Sequence, residues 1–192
     1  MQPGRATNRR GPKRKILIEL FSLQVAPQHP RLAPVFTLRQ IAALAQTEGT
    51  TMAELITVGA MQLRFLRTKH DTSGALDMFE VVIPPNSRMP VPHHHRDWEE
   101  TVYGLEGVVT WTVAGKRIEI KPGIDLFIPR GVVHGFVNET QAIAKMLCVL
   151  TPGVLGPEFF REMAVAIGGP APPDPARMGE IMKRHGLIPA PS

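Results

Sequence analysis

The residues that could do chemistry lie between positions 93 and 134. His93 and His95 stand two apart, and on an extended strand alternate side chains share a face, so both imidazoles point the same way. Glu99 and Glu100 follow at spacings that leave room for a short turn, and neighbours on a strand face opposite ways, so only one of them can join the histidines. His134 is remote in sequence and has to be brought in by the fold. Three imidazoles and one carboxylate suit a borderline divalent transition ion such as Fe, Mn, Co, Ni, Cu or Zn. They do not suit Ca or Mg, which take mostly oxygen. One such ion per chain is the expected cofactor.

The glycines and prolines around these residues keep a fixed spacing. His93, His95, Glu100 and Gly107 form one group, with four residues between His95 and Glu100 and six between Glu100 and Gly107. Gly123, Pro129, Gly131, His134 and Asn138 form a second, and fifteen residues separate Gly107 from Gly123. Together these nine positions resemble the two motifs of the cupin family. The resemblance implies a metal held by His93, His95, Glu100 and His134, and it selects Glu100 over Glu99 because only Glu100 leaves six residues between itself and Gly107. One position departs from the pattern: the family opens its first motif with a glycine where this chain has Ser87. Asn86, next to it, tolerates positive φ and can make the same turn one residue earlier.

The elements that must position these residues are short and mostly extended. From about residue 57 onward, apolar-rich runs alternate with Gly, Pro and Asn turns: 61–68, 75–83, 89–95, 98–105, 107–113, 116–121, 125–128, 133–138 and 143–150. Ala114-Gly115 is a tight hairpin signal. Many strands without interleaved helices indicate an all-β sandwich or barrel. The family resemblance makes that a double-stranded β-helix, the cupin jelly-roll barrel, with flanking N- and C-terminal helices. The expected organisation is a basic arm and linker over 1–36, a helical segment over 37–55, the barrel over 56–152 and a helical tail over 153–192.

In the tail, Pro157 to Ile167 and a stretch capped by Asp174-Pro175 read as amphipathic helices, with Phe160, Met163, Ala164 and Ile167 on one stripe and Met178, Ile181 and Met182 on the other. Thr37 reads as the cap of a helix through Gln46, but the chain turns to strand-like residues straight after Ile56, which argues against a helix-turn-helix.

Net charge is +5, unevenly placed. Arg5, Arg9, Arg10, Lys13, Arg14 and Lys15 precede the first acid, Glu19; without those six, 16 of the 22 Lys and Arg remain against 17 Asp and Glu. The excess therefore belongs to an arm, and no nucleic-acid partner is expected for the body. One cysteine, Cys148, excludes an internal disulfide and reads as a small buried hydrophobe. With no apolar run of membrane-spanning length, a reducing cytoplasm is expected.

The resemblance extends over about residues 37–188 to small cupins similar to quercetin dioxygenases. It implies a mononuclear metal-dependent oxygenase acting on a small enol, diol or related organic substrate, with Glu100 as a catalytic base. Non-redox catalysis (isomerisation, decarboxylation or hydrolysis) and binding without turnover are the alternatives, because this fold hosts all three. Phe136, two residues past His134 on one strand, and Trp111 are the candidate pocket residues. A homodimer is expected by resemblance and because barrel edges and helix stripes need cover.

Overall fold

The structure is a computed structural model and describes residues 53–191. The expected arm over 1–36 and nearly all of the helical segment over 37–55 lie outside those residues. Eleven strands and two helices follow in order: β1 Leu55–Val58, β2 Met61–Arg67, β3 Asp77–Ile83, β4 His93–His95, β5 Glu99–Glu106, β6 Val109–Val113, β7 Lys116–Ile120, β8 Asp125–Ile128, β9 His134–Val137, β10 Ala144–Thr151, α1 Gly156–Ile167, α2 Pro175–Arg184 and β11 Leu187–Pro189.

The strands form two antiparallel sheets. One has the order β1-β2-β3-β10-β5-β8 and the other β11-β4-β9-β6-β7. Their inner faces make the core, and the alternation of side chains explains which residues enter it. In β3, Phe79, Val81 and Ile83 point inward while Met78, Glu80 and Val82 are half-buried. In β10, Met146, Cys148 and Leu150 do the same. This is the jelly-roll barrel that the sequence leads one to expect.

Local sequence sets several turns. Asn86 adopts φ 60, the positive value proposed for it in place of the missing glycine. Ala114 and Gly115, at φ 48 and 77, close the β6–β7 hairpin. Gly107, at φ 64, passes so close to the chain opposite that a Cβ there would lie 2.5 Å from the Ile143 carbonyl oxygen. Asn138 is a fully buried hub. Its Nδ2 donates to the carbonyls of Ile83, Pro84 and Ala142 at 2.9, 3.2 and 2.8 Å, and its Oδ1 accepts from the Thr140 amide at 3.0 Å.

Two expectations need correction. The strand expected over 89–95 shortens to His93–His95, because Pro90 and Pro92 lack the N–H that ladder pairing needs. The tail over 153–192 is not purely helical: β11 returns to the barrel and pairs with β4, Leu187 opposite His95 and Pro189 opposite His93.

Both tail helices form where their stripes predict. Asp174 caps α2, accepting from the Ala176 amide at 2.9 Å. Phe159 and Met163 of α1 and Met178, Ile181 and Met182 of α2 are buried in the same core as the barrel strands. Each such side chain contributes roughly 1.5–3 kcal/mol on burial. Among the described residues, no helix is long and apolar enough to cross a membrane.

A buried carboxylate that the sequence did not flag joins barrel to helix. Asp77 is fully enclosed and accepts from the Lys69 amide at 2.5 Å and from the Gly156 amide at 3.0 Å, tying the β2–β3 turn to the start of α1. His70, in the same turn, is exposed, and its Nε2 lies 2.7 Å from Glu158 Oε1 on α1.

Candidate metal centre

Two strands of the smaller sheet bring the three histidines together. His93 and His95 take alternate positions on β4 and both point inward, while His94 between them is half-buried. β9 lies beside β4 with His134 directly opposite His93. One side-chain nitrogen from each of His93, His95 and His134 lies within 4.8 Å of the other two, and all three residues are buried.

The proton positions on two of the rings follow from their partners. His93 Nδ1 and His134 Nδ1 each sit 2.9 Å from a main-chain carbonyl, that of Val91 and that of Val132. A carbonyl only accepts, so both Nδ1 atoms carry hydrogen and both Nε2 atoms present a lone pair inward. The Nε2 atoms of His93 and His95 approach to 3.2 Å, a contact that needs a shared proton or cation. His134 Nε2 is buried with no hydrogen-bond partner. An orphaned lone pair beside two other imidazoles is what a transition metal would satisfy, and the outer carbonyls orient the rings as metal-bound histidines require. The residues fit the ion.

Glu100 lies beside the three histidines, on the opposite sheet. It sits on β5 between Leu150 and Ile128, with Oε2 3.6 Å from His134 Nε2 and 3.8 Å from His95 Nε2. Glu99, one residue earlier, faces outward and bonds Arg130 Nε at 2.6 Å. The strand's alternation separates the two carboxylates as the sequence expects.

Burial governs the charge states. It lowers His93 to about 3 and His95 to about 2, with the neighbouring imidazoles adding to the effect, and it lowers His134 in the same sense. Neutral imidazoles are the ligating form. Burial also raises the Glu100 carboxyl to about 7, partly offset by the Cys148 thiol that bonds it. The Cys148 thiol is itself pushed well above its usual range by burial and by Glu100. Cys148 is thus the small buried residue the sequence suggests, and it also touches the carboxylate.

His93, His95 and Glu100 open onto a cavity of about 780 Å³, open solvent at its mouth included. Phe136 is in the wall. Trp111 is not: it is fully buried and stands behind that wall, its ring centroid 5.0 Å from Phe136 and 5.9 Å from His134. Its place as a pocket residue is therefore corrected. Its inward direction packs it behind His134, which occupies the space in front.

Trp98 is also buried, stacked on His95 with centroids 4.6 Å apart and planes at 21°. Gly186, at φ 82, passes directly over it, and a Cβ there would come within 2.9 Å of the indole. The wall residues the sequence did not assign to a pocket include several of the tail, Phe159, Phe160 and Met163 on α1 and Met182 on α2. Apolar spacing marked Phe160, Met163 and Met182 as buried but not Phe159, and spacing alone does not say against what they pack.

An all-β jelly roll with a buried three-histidine group that can hold a metal defines a class of small metal-binding barrels. Residues 79–150 match the cupin domain, and the chain resembles proteins of the cupin superfamily. It is 31% identical over 123 residues to a quercetin 2,3-dioxygenase of Bacillus subtilis (strain 168), covering 62% of this chain and 36% of that one. It is also 31% identical over 71 residues to an uncharacterized protein of Aquifex aeolicus (strain VF5), covering 37% of this chain and 58% of the relative. The matched region thus spans little more than a third of the first relative and under two thirds of the second. Among solved structures, the polyketide cyclase RemF from Streptomyces resistomycificus is 29% identical, with a TM-score of 0.46 over 52% of this chain and 73% of that one. A predicted oxalate decarboxylase from Thermotoga maritima is 23% identical, with a TM-score of 0.49 over 54% of this chain and 94% of that one.

Proposed function

We propose that the protein is a mononuclear metal-dependent oxygenase that acts on a small enol, diol or related organic substrate. The observation that carries this reading is the meeting of three neutral imidazoles and one carboxylate at the wall of an otherwise apolar cavity. The quercetin 2,3-dioxygenase of Bacillus subtilis, to which the chain is similar, supports it. A divalent transition ion held by His93, His95, His134 and Glu100 supplies Lewis acidity and a template for an oxygen-bearing ligand. The chain's own residues then have separate tasks. The Val91 and Val132 carbonyls keep Nε2 of His93 and His134 free to ligate. Glu100, buried beside the imidazoles and facing the cavity, can take a proton from a substrate hydroxyl. The apolar wall and the two tail helices exclude water.

The partner proposed for the chain is a second copy. Edge strand β8 and its neighbour β5 leave Tyr103, Leu105, Ile124 and Phe127 exposed, a surface that suits a homodimer. A monomeric mass by light scattering would exclude it. A reducing cytoplasm is the proposed location, in keeping with the single buried thiol at Cys148.

The test is elemental analysis of untagged protein beside His134→Ala, followed by oxygen uptake with enols and diols. The expected result is about one Fe, Mn, Co, Ni or Cu ion per chain, lost in the variant, with uptake that depends on it. Turnover with zinc and no oxygen uptake would replace the oxygenase reading by isomerase, decarboxylase or hydrolase chemistry. No metal after reconstitution would leave a binding protein.

A further inference from the structure

The cavity is polar at one end only. Among the described residues that line it, His93, His95, Glu100 and Cys148 carry the polar side chains, and they cluster at the metal-binding group. The rest of the wall is apolar and includes five methionines and four phenylalanines. Among the described residues, no lysine or arginine reaches it, and no serine, threonine, asparagine or glutamine side chain does. A carboxylate, phosphate or polyol lodged along that wall would lose its water and gain no partner. Methionines are flexible and polarizable, so they fit irregular apolar shapes and sit well against aromatic rings.

The roof has the same character. Phe159, Phe160 and Met163 of α1 and Met182 of α2 close the cavity over β1 and β2, and Phe160 packs edge-on to Phe79 with centroids 5.2 Å apart. The helices are tied down outside the cavity, by Arg161 to Glu54 and by His185 to Glu162, so their charges stay on the surface.

We propose that the substrate is an uncharged hydrophobic molecule with one oxygenated end at His93, His95 and Glu100 and an apolar body under α1 and α2. This rests on the reading of the site as a metal centre that binds an oxygen-bearing ligand. It adds that the end remote from the metal carries neither charge nor hydroxyl groups, which separates this chain from cupins that would take sugars, phosphates or dicarboxylates.

The experiment compares two probes, a methylnaphthol and the hydroxynaphthoate that keeps the same hydroxyl but has a carboxylate in place of the methyl group. Each is titrated calorimetrically, without oxygen, into metal-loaded protein. The methylnaphthol is expected to bind at least about tenfold more tightly, because the carboxylate must enter a wall without a partner for it. Phe160→Ala is expected to weaken methylnaphthol binding about fivefold, and Phe160→Leu by less, with metal content unchanged in both. Equal or tighter binding of the hydroxynaphthoate overturns the inference. So does failure of both probes to bind, or methylnaphthol binding that neither Phe160 variant alters. Binding and turnover fail separately. A retained preference without oxygen uptake sinks the oxygenase reading alone, and oxygen uptake with a substrate charged at its far end sinks this inference alone.

Discussion

The two sheets support the site in very different ways. The larger sheet supplies Glu100 from an eight-residue strand held on both sides: β5 pairs with β10 from Glu99 to Glu106 and with β8 from Glu100 to Tyr103. The smaller sheet supplies all three imidazoles from strands of three and four residues, and β4 meets β9 at the single pair His93–His134. The acid is set in a continuous ladder, whereas the histidines depend on individual bonds around them. Those bonds are the Val91 and Val132 carbonyls on the rings, the Gly131 amide on the His95 carbonyl at 2.8 Å, the Trp98 indole against His95, and β11 along the outer edge of β4. A bound metal would therefore stabilise the smaller sheet far more than the larger one.

The strongest way to break this contrast is to remove β11. Truncation after Gly186 should abolish metal retention, because β4 loses its outer partner and the bond from the Ala190 amide to the Pro92 carbonyl. The larger sheet should persist, read as retained β-sheet circular dichroism beside a metal content near zero. Full metal binding by the truncated chain would show that the histidine strand stands without its neighbour.

Acid titration sharpens the contrast by a few kcal/mol. The unfolded chain protonates its histidines near 6.5, while in the fold His93 stays neutral down to about 3 and His95 to about 2, with His134 lowered as well. Protons therefore favour the unfolded state below about 6.5, and metal-free protein should lose stability as pH falls from 7 to 5. Glu100 acts in the opposite sense: its folded carboxyl takes a proton near 7, well above the ordinary carboxylate range, so protonation on acidification returns part of the loss. Three imidazoles against one carboxyl leave a net loss on the order of a few kcal/mol, at about 1.4 kcal/mol per pH unit per group. Melting temperatures of chelator-treated protein across that range check the sign. A flat or rising profile toward acid would mean that the imidazoles are not buried neutral.

The paired carboxylates give the finest comparison. Glu100→Gln should leave the fold intact and lower turnover by about a hundredfold or more, the usual share of a positioned acid–base group. Glu99→Gln removes only the surface bond to Arg130 and should stay within about 1 kcal/mol in stability, with turnover close to wild type. Equal losses in the two variants would overturn the inward and outward assignment.

How much of this was legible in the sequence follows the same division. The ligand-bearing residues were readable because two-residue periodicity and fixed turn spacings act locally. His93 and His95 share a face, Glu99 and Glu100 do not, and Asn86 takes the positive φ its side chain permits. The barrel strands were readable for the same reason. What was not legible depends on meetings between distant segments. The stripes of α1 and α2 were visible as stripes, but nothing in their spacing shows that they roof a cavity. Cys148 meets Glu100 only because β10 and β5 are neighbours. Trp111 was placed in the wall because its direction relative to His134 could not be fixed from spacing. Asp77 gave no signal, since one acid at the start of a strand is ordinary until two amides are seen to converge on it.

The pairing of β11 with β4 also sets an order in time. Every strand of the larger sheet has been synthesised once the ribosome passes Thr151, and those strands can pair as the nascent chain emerges. His93, His94 and His95 are made earlier still, yet their outer neighbour does not exist until residues 187–189 have been added, after both tail helices. The histidine strand is thus finished last. A metal that needs the finished histidine strand would therefore enter after the larger sheet has formed, at a site where Glu100 is already set.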